Sequence, residues 1–249
     1  MKAFLPETVS GQHAWRFRAP GPRVRADIRL FGRGVFLDGT RGKAGASRER
    51  LVPLLGKRLP LIAPKQVHGT TILEALENNV LPAFSEADGI LLDAPGMEAS
   101  LRFADCAPVV VASTEGPNWV LLMHSGYKGT VLNIVGAGLE KVKERYGKGA
   151  LSSACAWVGP CIGIRNYPRS REEWTERGLA AFHLENVEVH GEKVHFDIAG
   201  ELKNQLVSGG IAEGSVFVSG IDTFESSGLC YSYRRGDPED RMFLWAALS

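Results

Sequence analysis

Residues 87 to 123 decide the fold and read ADGILLDAPGMEASLRFADCAPVVVASTEGPNWVLLM. This stretch holds short runs of apolar residues that are separated by turn signals containing proline and glycine. Such a pattern is typical of consecutive buried β-strands. It predicts four strands, Gly89–Asp93, Ser100–Ala104, Val109–Ala112 and Trp119–Met123.

Elements on the C-terminal side of this stretch complete a mixed architecture. Apolar residues at helical spacing predict a helix from about Thr130 to Tyr146 and a second over Ser170–Phe182; a third, Ile198–Val207, takes Asp197 as its N-cap. Strands are expected to return at Ala156–Val158, Val216–Ser219, Leu229–Tyr233 and Met242–Leu248. Because strands outnumber helices without alternating regularly with them, the pattern predicts an α+β fold with mixed sheets. With no repeat or long linker, we expect one domain over residues 1–249.

Composition narrows the functional classes. The net charge of the 249-residue chain is +1, so we expect neither nucleic acid nor a membrane as a partner. The N-terminus lacks the apolar region of a signal peptide, and no apolar run is long enough to span a bilayer. We therefore expect a cytoplasmic protein, in which the four cysteines are reduced.

Three side chains stand out as candidate metal ligands, namely His68, Cys106 and His124. Each follows a strand-like segment, where loops on a rigid scaffold commonly carry function. Taken singly, each is more often structural, but together they form the donor set of a catalytic Zn²⁺ site with one position left for water. The chain has only six histidines and no His-X-His pair, so a multicopper cluster is not expected.

Two further segments suggest anion binding. The turn Ser125-Gly-Tyr-Lys-Gly-Thr130 precedes a predicted helix, and its Gly126, Lys128 and Gly129 could form an anion pocket next to the metal. A plain strand-to-helix turn is the alternative. Arg235 belongs to an arginine pair that could grip phosphate, although a charge-paired hairpin explains the same pattern.

The motifs together resemble the laccase-domain family, also called polyphenol oxidoreductases, whose members are described as zinc-dependent purine nucleoside phosphorylases. The resemblance covers residues 60 to 248. It rests on Lys65-Gln-Val-His-Gly69, Ala87-Asp-Gly89, Ala104-Asp-Cys-Ala-Pro108, His124-Ser-Gly-Tyr-Lys-Gly-Thr130, Val158-Gly-Pro-Cys-Ile-Gly163 and Tyr231-Ser-Tyr-Arg-Arg235.

The resemblance implies a single α/β/β/α layered domain in which His68, Cys106 and His124 bind one zinc ion. It also implies phosphorolysis of adenosine, inosine, guanosine and methylthioadenosine, with adenosine deamination as a second activity. The partners would then be a small purine nucleoside and phosphate, with phosphate against the Gly126–Thr130 turn and Arg235. For deamination we expect Asp105, next to Cys106, to act as the proton shuttle.

Some positions depart from the family pattern. Ser125, Tyr127 and Lys128 replace the Ala, Trp and Arg that are usual in the glycine-rich turn, and Asp222-Thr223 replaces a Cys-Thr pair. The preferred nucleoside and the balance between phosphorolysis and deamination stay open. Two alternatives remain, a hydrolase with Cys106 as nucleophile and His124 as base, and a non-enzymatic module with structural zinc. The sequence leaves the oligomeric state open, a monomer included.

Overall fold

A computed structural model describes residues 3–18, 24–56, 58–75 and 85–248. The strands in these ranges are β1 Phe4–Val9, β2 Gln12–Phe17, β3 Ala26–Gly34, β4 Leu61–Ile62, β5 Ile72–Ala75, β6 Gly89–Leu92, β7 Glu98–Phe103, β8 Ala107–Ser113, β9 Val120–Ser125, β10 Ala154–Val158, β11 Pro168–Ser170, β12 Val187–His190, β13 Lys193–Phe196, β14 Val216–Val218 and β15 Met242–Leu248. The α-helices are α1 Ala44–Arg50, α2 Val52–Leu55, α3 Tyr127–Val131, α4 Ile134–Tyr146, α5 Glu173–Ala181 and α6 Ile198–Ser208.

Two six-stranded mixed sheets form the centre of the molecule. Their strand orders are β1-β2-β3-β15-β7-β4 and β14-β10-β8-β9-β6-β5, and β11-β13-β12 form a separate small sheet. Every residue of β6, β8 and β9 is buried. Strands covered on both faces read as continuous apolar runs, which is why the stretch from residue 87 to 123 stands out in the sequence.

The side chains of these strands form two cores. Leu101 of β7 and Leu122 of β9 belong to the core between the two sheets. Leu121, one position earlier in β9, points to the opposite face and packs in a second core with Leu139 of α4. On the outer face of the first sheet, α1 contacts β7. The layers are therefore helix, sheet, sheet and helix, and the predicted α+β class is confirmed.

Some element boundaries differ from the predictions. The helix predicted from Thr130 starts earlier and is interrupted, because Asn133 adopts φ +58° between α3 and α4 and caps the second helix by accepting the Gly136 N–H. The helix predicted over Ser170–Phe182 is α5, which starts only at Glu173 after β11. Asp197 caps α6 as predicted, accepting the Gly200 N–H.

The strand predicted over Leu229–Tyr233 is wrong. This segment is a loop in which the Leu229 and Cys230 N–H groups both donate to the Ser226 carbonyl. Cys230 and Tyr231 are buried because they pack against the inter-sheet core, not because they join a ladder. Among the described helices, none combines the length and apolar character needed to cross a bilayer.

Candidate metal centre and substrate cavity

Sheet register brings His68, Cys106 and His124 together although 38 and 18 positions separate them along the chain. His124 lies near the end of β9 and pairs with Pro108 of β8, so Cys106, just before β8, is beside it. His68 comes from the loop after β4. One ligand atom from each of the three side chains lies within 4.8 Å of the others. His68 is exposed, Cys106 half-buried and His124 buried, so the triad is open to solvent on one side.

Asp88 organises the triad, and no role for it was predicted from the sequence. Its carboxylate accepts the backbone N–H groups of Val67, His68 and Gly69 at 3.1, 3.0 and 2.7 Å. It also accepts the Nδ1–H of His124 at 2.8 Å. These bonds hold His68 at φ +61°, a backbone region that few non-glycine residues adopt. Because Nδ1 of His124 is occupied, its Nε2 is left as the ligand atom.

Their surroundings shift the pKa values of two members of the triad, His124 and Cys106. Burial, with a further contribution from His68, lowers the pKa of His124 against the opposing effect of Asp88, which favours the neutral imidazole. Burial, with the charges of Asp105 and Asp88, raises the pKa of the Cys106 thiol to about 12. A thiol in this position becomes a thiolate only when a cation compensates it. Two imidazole nitrogens and a cysteine sulfur form a donor set that fits Zn²⁺.

Gly126 contributes to the triad by having no side chain. A Cβ at this position would lie 2.6 Å from the Cys106 sulfur and 3.2 Å from Cδ2 of His68. The turn after β9 can approach both ligands only because residue 126 is glycine. At Gly129, by contrast, an added Cβ would meet its nearest neighbours at 3.6 Å, an ordinary contact.

Lys128 is placed on the other side of the same turn. Its side chain is exposed, and Nζ lies 4.8 Å from the ring centroid of Trp174 in α5. Neither Lys128 nor Gly126 or Gly129 is among the residues that line the cavity at the triad. The structure therefore brings Gly126 to the candidate metal ligands but does not place Lys128 in the lining of the cavity beside them.

A cavity of about 1010 Å³ opens at the triad. This volume lies at the upper end of the range of small-molecule sites. Two carboxylates, Asp105 and Glu239, and two aromatic rings, Tyr167 and Tyr233, line it. Its positive side chains come from segments far apart in sequence, namely Arg41, Lys43, Lys65, Arg102, Arg234 and Arg241.

Arg235 braces the loop beside the cavity and is not among the lining residues. Its guanidinium donates to the carbonyl oxygens of Thr223, Phe224 and Cys230 at 2.5, 2.9 and 2.6 Å, and to the Asp237 carboxylate at 2.7 Å. With these donors used internally, Arg235 fixes the loop that carries its neighbours Tyr233 and Arg234 into the lining.

Asp105 is in the cavity wall, in a left-handed backbone conformation with φ +79°. One carboxylate oxygen accepts the Thr223 hydroxyl at 2.7 Å, and the other accepts the Arg234 N–H at 2.8 Å. The carboxylate thus links the Cys106 loop to the Arg234 loop.

A family model described as multi-copper polyphenol oxidoreductase laccase matches residues 38–248. The chain belongs to this family. Two of its relatives are named purine nucleoside phosphorylase. The one from Deinococcus radiodurans is 30% identical over 207 residues, 81% of this chain and 75% of that protein. The one from Synechocystis sp. is 26% identical over 210 residues, 75% of this chain and 79% of that protein.

Solved structures agree with the family assignment at the level of the fold. A Bacillus licheniformis protein titled hypothetical protein YfiH superposes with a TM-score of 0.76 at 21% identity, covering 96% of this chain and 93% of that one. YlmD from Geobacillus stearothermophilus superposes with a TM-score of 0.75 at 22% identity, covering 96% and 92%. The resemblance inferred from the motifs is confirmed. Within the described part of this laccase-family chain, the triad is the one group of three or more His, Cys, Asp or Glu residues suited to a metal.

Proposed function

We propose that this protein is a zinc-dependent purine nucleoside phosphorylase. The observation that carries the proposal is the His68-Cys106-His124 triad, which opens into a cavity lined by positive side chains and aromatic rings. A phosphorylase has to hold a nucleoside and a phosphate together, and this lining offers a partner for each. The names of the relatives support the same activity.

His68, Cys106 and His124 would hold the ion, which when bound supplies a Lewis acid with an open coordination position. Asp88 orients the His124 ring through Nδ1 and holds the backbone of His68 through its N–H group. This preorganisation keeps the ligand atoms in one place, so that little reordering is needed on metal binding.

The remaining lining residues position the substrates. The exposed ring of Tyr233 offers a face on which a purine base can stack. Phosphate would bind among the cations of the wall, where charge neutralisation and alignment with C1′ of the ribose are the main requirements for its attack. The substrates proposed are adenosine, inosine, guanosine and methylthioadenosine. Such small metabolites suit the cytoplasmic location expected from the sequence.

Deamination of adenosine is the second activity that we propose. Asp105 is the candidate proton carrier because it lines the cavity next to Cys106. Both of its oxygens already accept internal hydrogen bonds, so proton transfer by Asp105 would require exchange with the Thr223 hydroxyl or the Arg234 N–H.

The alternative of a metal-free hydrolase is weaker on physical grounds. A nucleophilic cysteine needs a low pKa, whereas burial raises the pKa of Cys106 to about 12. The Asp88–His124 hydrogen bond leaves Nε2 of His124 free to accept a proton, so the argument against the hydrolase rests on the pKa of Cys106.

The deciding experiment uses protein purified without added metal. Elemental analysis should find about one zinc per chain, as three ligands in one triad require. The protein is then incubated with adenosine, with and without phosphate, and the products are separated by chromatography. Adenine that forms only with phosphate supports phosphorolysis, and inosine supports deamination. Neither product, at full zinc occupancy and with inosine and guanosine also unreactive, would contradict the proposal.

A further inference from the structure

One cation of the cavity wall, Arg102, differs from the others in its surroundings. Its Nη1 atom is buried and has no hydrogen-bond partner, which holds for no other positive side chain in the described lining. Its Nη2 atom donates to the Pro64 carbonyl at 2.6 Å. A buried N–H without a partner is unfavourable unless a ligand satisfies it. Arg102 lines the cavity, and its guanidinium group carries an N–H donor that no described protein atom accepts.

Arg102 is held rigidly against the loop that carries His68. The Gln66 amide donates to the Arg102 carbonyl at 2.8 Å, and the Arg102 N–H donates to Gln66 Oε1 at 2.9 Å. Together with the Nη2–Pro64 bond, these contacts tie β7 to the segment from residue 64 to residue 68. The guanidinium and the metal ligand His68 thus belong to one fixed unit, which reduces the entropy lost when a ligand binds to both.

The charge balance of the wall calls for an anion. Arg41 is paired with Glu239 at 3.2 Å and Lys65 with Glu86 at 2.7 Å. Among the described residues, no carboxylate forms an ion pair with the side chains of Lys43, Arg102, Arg234 or Arg241. A purine nucleoside is neutral and cannot compensate these charges, whereas phosphate can. Of the four, Arg241 already donates to three backbone carbonyls, and the Arg234 guanidinium lies over the Tyr167 ring.

We propose that Arg102 is the anchor for inorganic phosphate in this cavity, with its guanidinium group, in which Nη1 has no protein partner, as donor and the exposed Lys43 as a second cation. A guanidinium suits this position because it binds an oxyanion through a fork and tolerates partial burial better than an ammonium group. The inference rests on the proposed phosphorylase activity and adds the residue that selects the anion. It places the phosphate subsite on β7 and the His68 loop, and not on the glycine-rich turn.

The test compares zinc-loaded wild-type protein with Arg102→Gln, Arg102→Lys and a control, Arg171→Gln. Arg171 is an exposed surface arginine that pairs with Glu176 at 3.0 Å. Inorganic phosphate is titrated by calorimetry at matched zinc occupancy, and KM values for phosphate and for adenosine are measured. Loss of a charged donor should raise both the Kd and the KM for phosphate about tenfold or more. The KM for adenosine should stay within about twofold, Arg102→Lys should recover part of the phosphate affinity, and Arg171→Gln should match the wild type.

Equal phosphate affinity in wild type and Arg102→Gln would overturn the inference, as would a wild type that does not bind phosphate. If Arg102→Gln fails to fold, Arg102→Lys decides, since a point charge in place of the fork should still weaken phosphate binding. If no variant releases purine base while phosphate binding depends on Arg102, the phosphorylase proposal fails and the anion site stands. If purine base is released with the same phosphate KM in all variants, the phosphorylase proposal stands and the assignment of Arg102 as phosphate anchor fails.

Discussion

The turn that follows β9 has two sides with different surroundings. On its inner side, Gly126 faces the Cys106 sulfur and the His68 ring so closely that a Cβ would not fit. On its outer side, Lys128 projects over Trp174, away from the cavity. Both residues are close to His124 in sequence, yet only Gly126 lies at the candidate metal ligands. The path of the backbone after β9 places Lys128 on the opposite side.

The cations that line the cavity at the triad come from distant segments. Arg102 is in β7, Lys43 lies just before α1, and Arg241 precedes β15. The inner side of the turn and these segments together form the site, while the outer side of the turn packs on α5. Substitutions on the two sides should consequently differ in what they do to metal binding and catalysis.

The largest effect is expected for a ligand on the inner side. His68→Asn removes the imidazole while keeping a residue that tolerates a positive φ. We expect stoichiometric zinc to be lost and kcat/KM for phosphorolysis to fall by about a thousandfold or more, because the metal supplies the Lewis acid.

Elemental analysis and base release check this prediction, and circular dichroism monitors the fold. Chelation of the wild type should abolish activity with only a small change in Tm. A sharp drop in Tm on chelation would instead favour structural zinc.

The second prediction concerns the pH dependence of the Cys106 thiol. Burial and nearby carboxylates raise its pKa from the ordinary value of 9.0 to about 12. A raised pKa means less thiolate at a given pH, so alkylation of metal-free protein at pH 8 should be about a hundredfold or more slower than in urea.

The rate of modification at Cys106, followed by mass spectrometry, should continue to rise with pH beyond pH 10. A plateau near neutral pH would reveal an activated thiolate and revive the hydrolase alternative.

The third prediction compares two glycines of the turn. Gly126→Ala would drive a Cβ into the Cys106 sulfur and the His68 ring, whereas Gly129→Ala adds a methyl group at ordinary contact distance. We expect Gly126→Ala to weaken zinc binding by about a hundredfold, since displaced ligands lose their shared centre. Gly129→Ala serves as the control and should keep zinc affinity close to that of the wild type. Competition with a chromogenic chelator measures both, and equal affinities would remove the inner-side role of Gly126.

The sequence predicted the features that depend on residue type, such as the metal donor set. It did not predict the features that depend on where a side chain points in the folded protein. The ligand triad followed from donor chemistry and family resemblance, and the strands from continuous apolar runs. Asp88 received no role because its importance lies in accepting backbone N–H groups about 20 positions away. Arg102 received no role because in the sequence it is only one residue of a predicted strand. Nor does composition show that Asn133 interrupts the helix after the turn.

The fourth prediction concerns the support beneath the inner side. Asp88→Asn keeps the shape of the side chain but replaces one accepting oxygen by an amide donor. Each oxygen accepts two of the four hydrogen bonds from the His68 loop and His124, so two of them must then be lost. We expect zinc affinity to fall about tenfold, the lower end of what changes behind metal ligands produce. Asp93→Asn, which loses an ion pair with Arg145 on the far side of α4, is the control. Unchanged zinc affinity in Asp88→Asn would mean that the ligands hold their positions without the carboxylate.

The smallest effect is expected on the outer side, where the two hypotheses for the turn predict changes of different size in the KM for phosphate. If the glycine-rich turn binds phosphate, as its sequence suggests, Lys128→Ala removes a cation from the subsite and raises the KM for phosphate about tenfold. From the position of Nζ over Trp174, we expect a change of less than about twofold, because an exposed lysine that stacks on an aromatic ring contributes little. Trp174→Ala would remove the ring that Lys128 contacts, and it distinguishes further between phosphate binding at the turn and phosphate binding at the cavity wall. If the KM for phosphate falls in that variant, the ammonium group can reach the anion once released, whereas an unchanged value confines anion binding to the wall formed by β7 and the His68 loop.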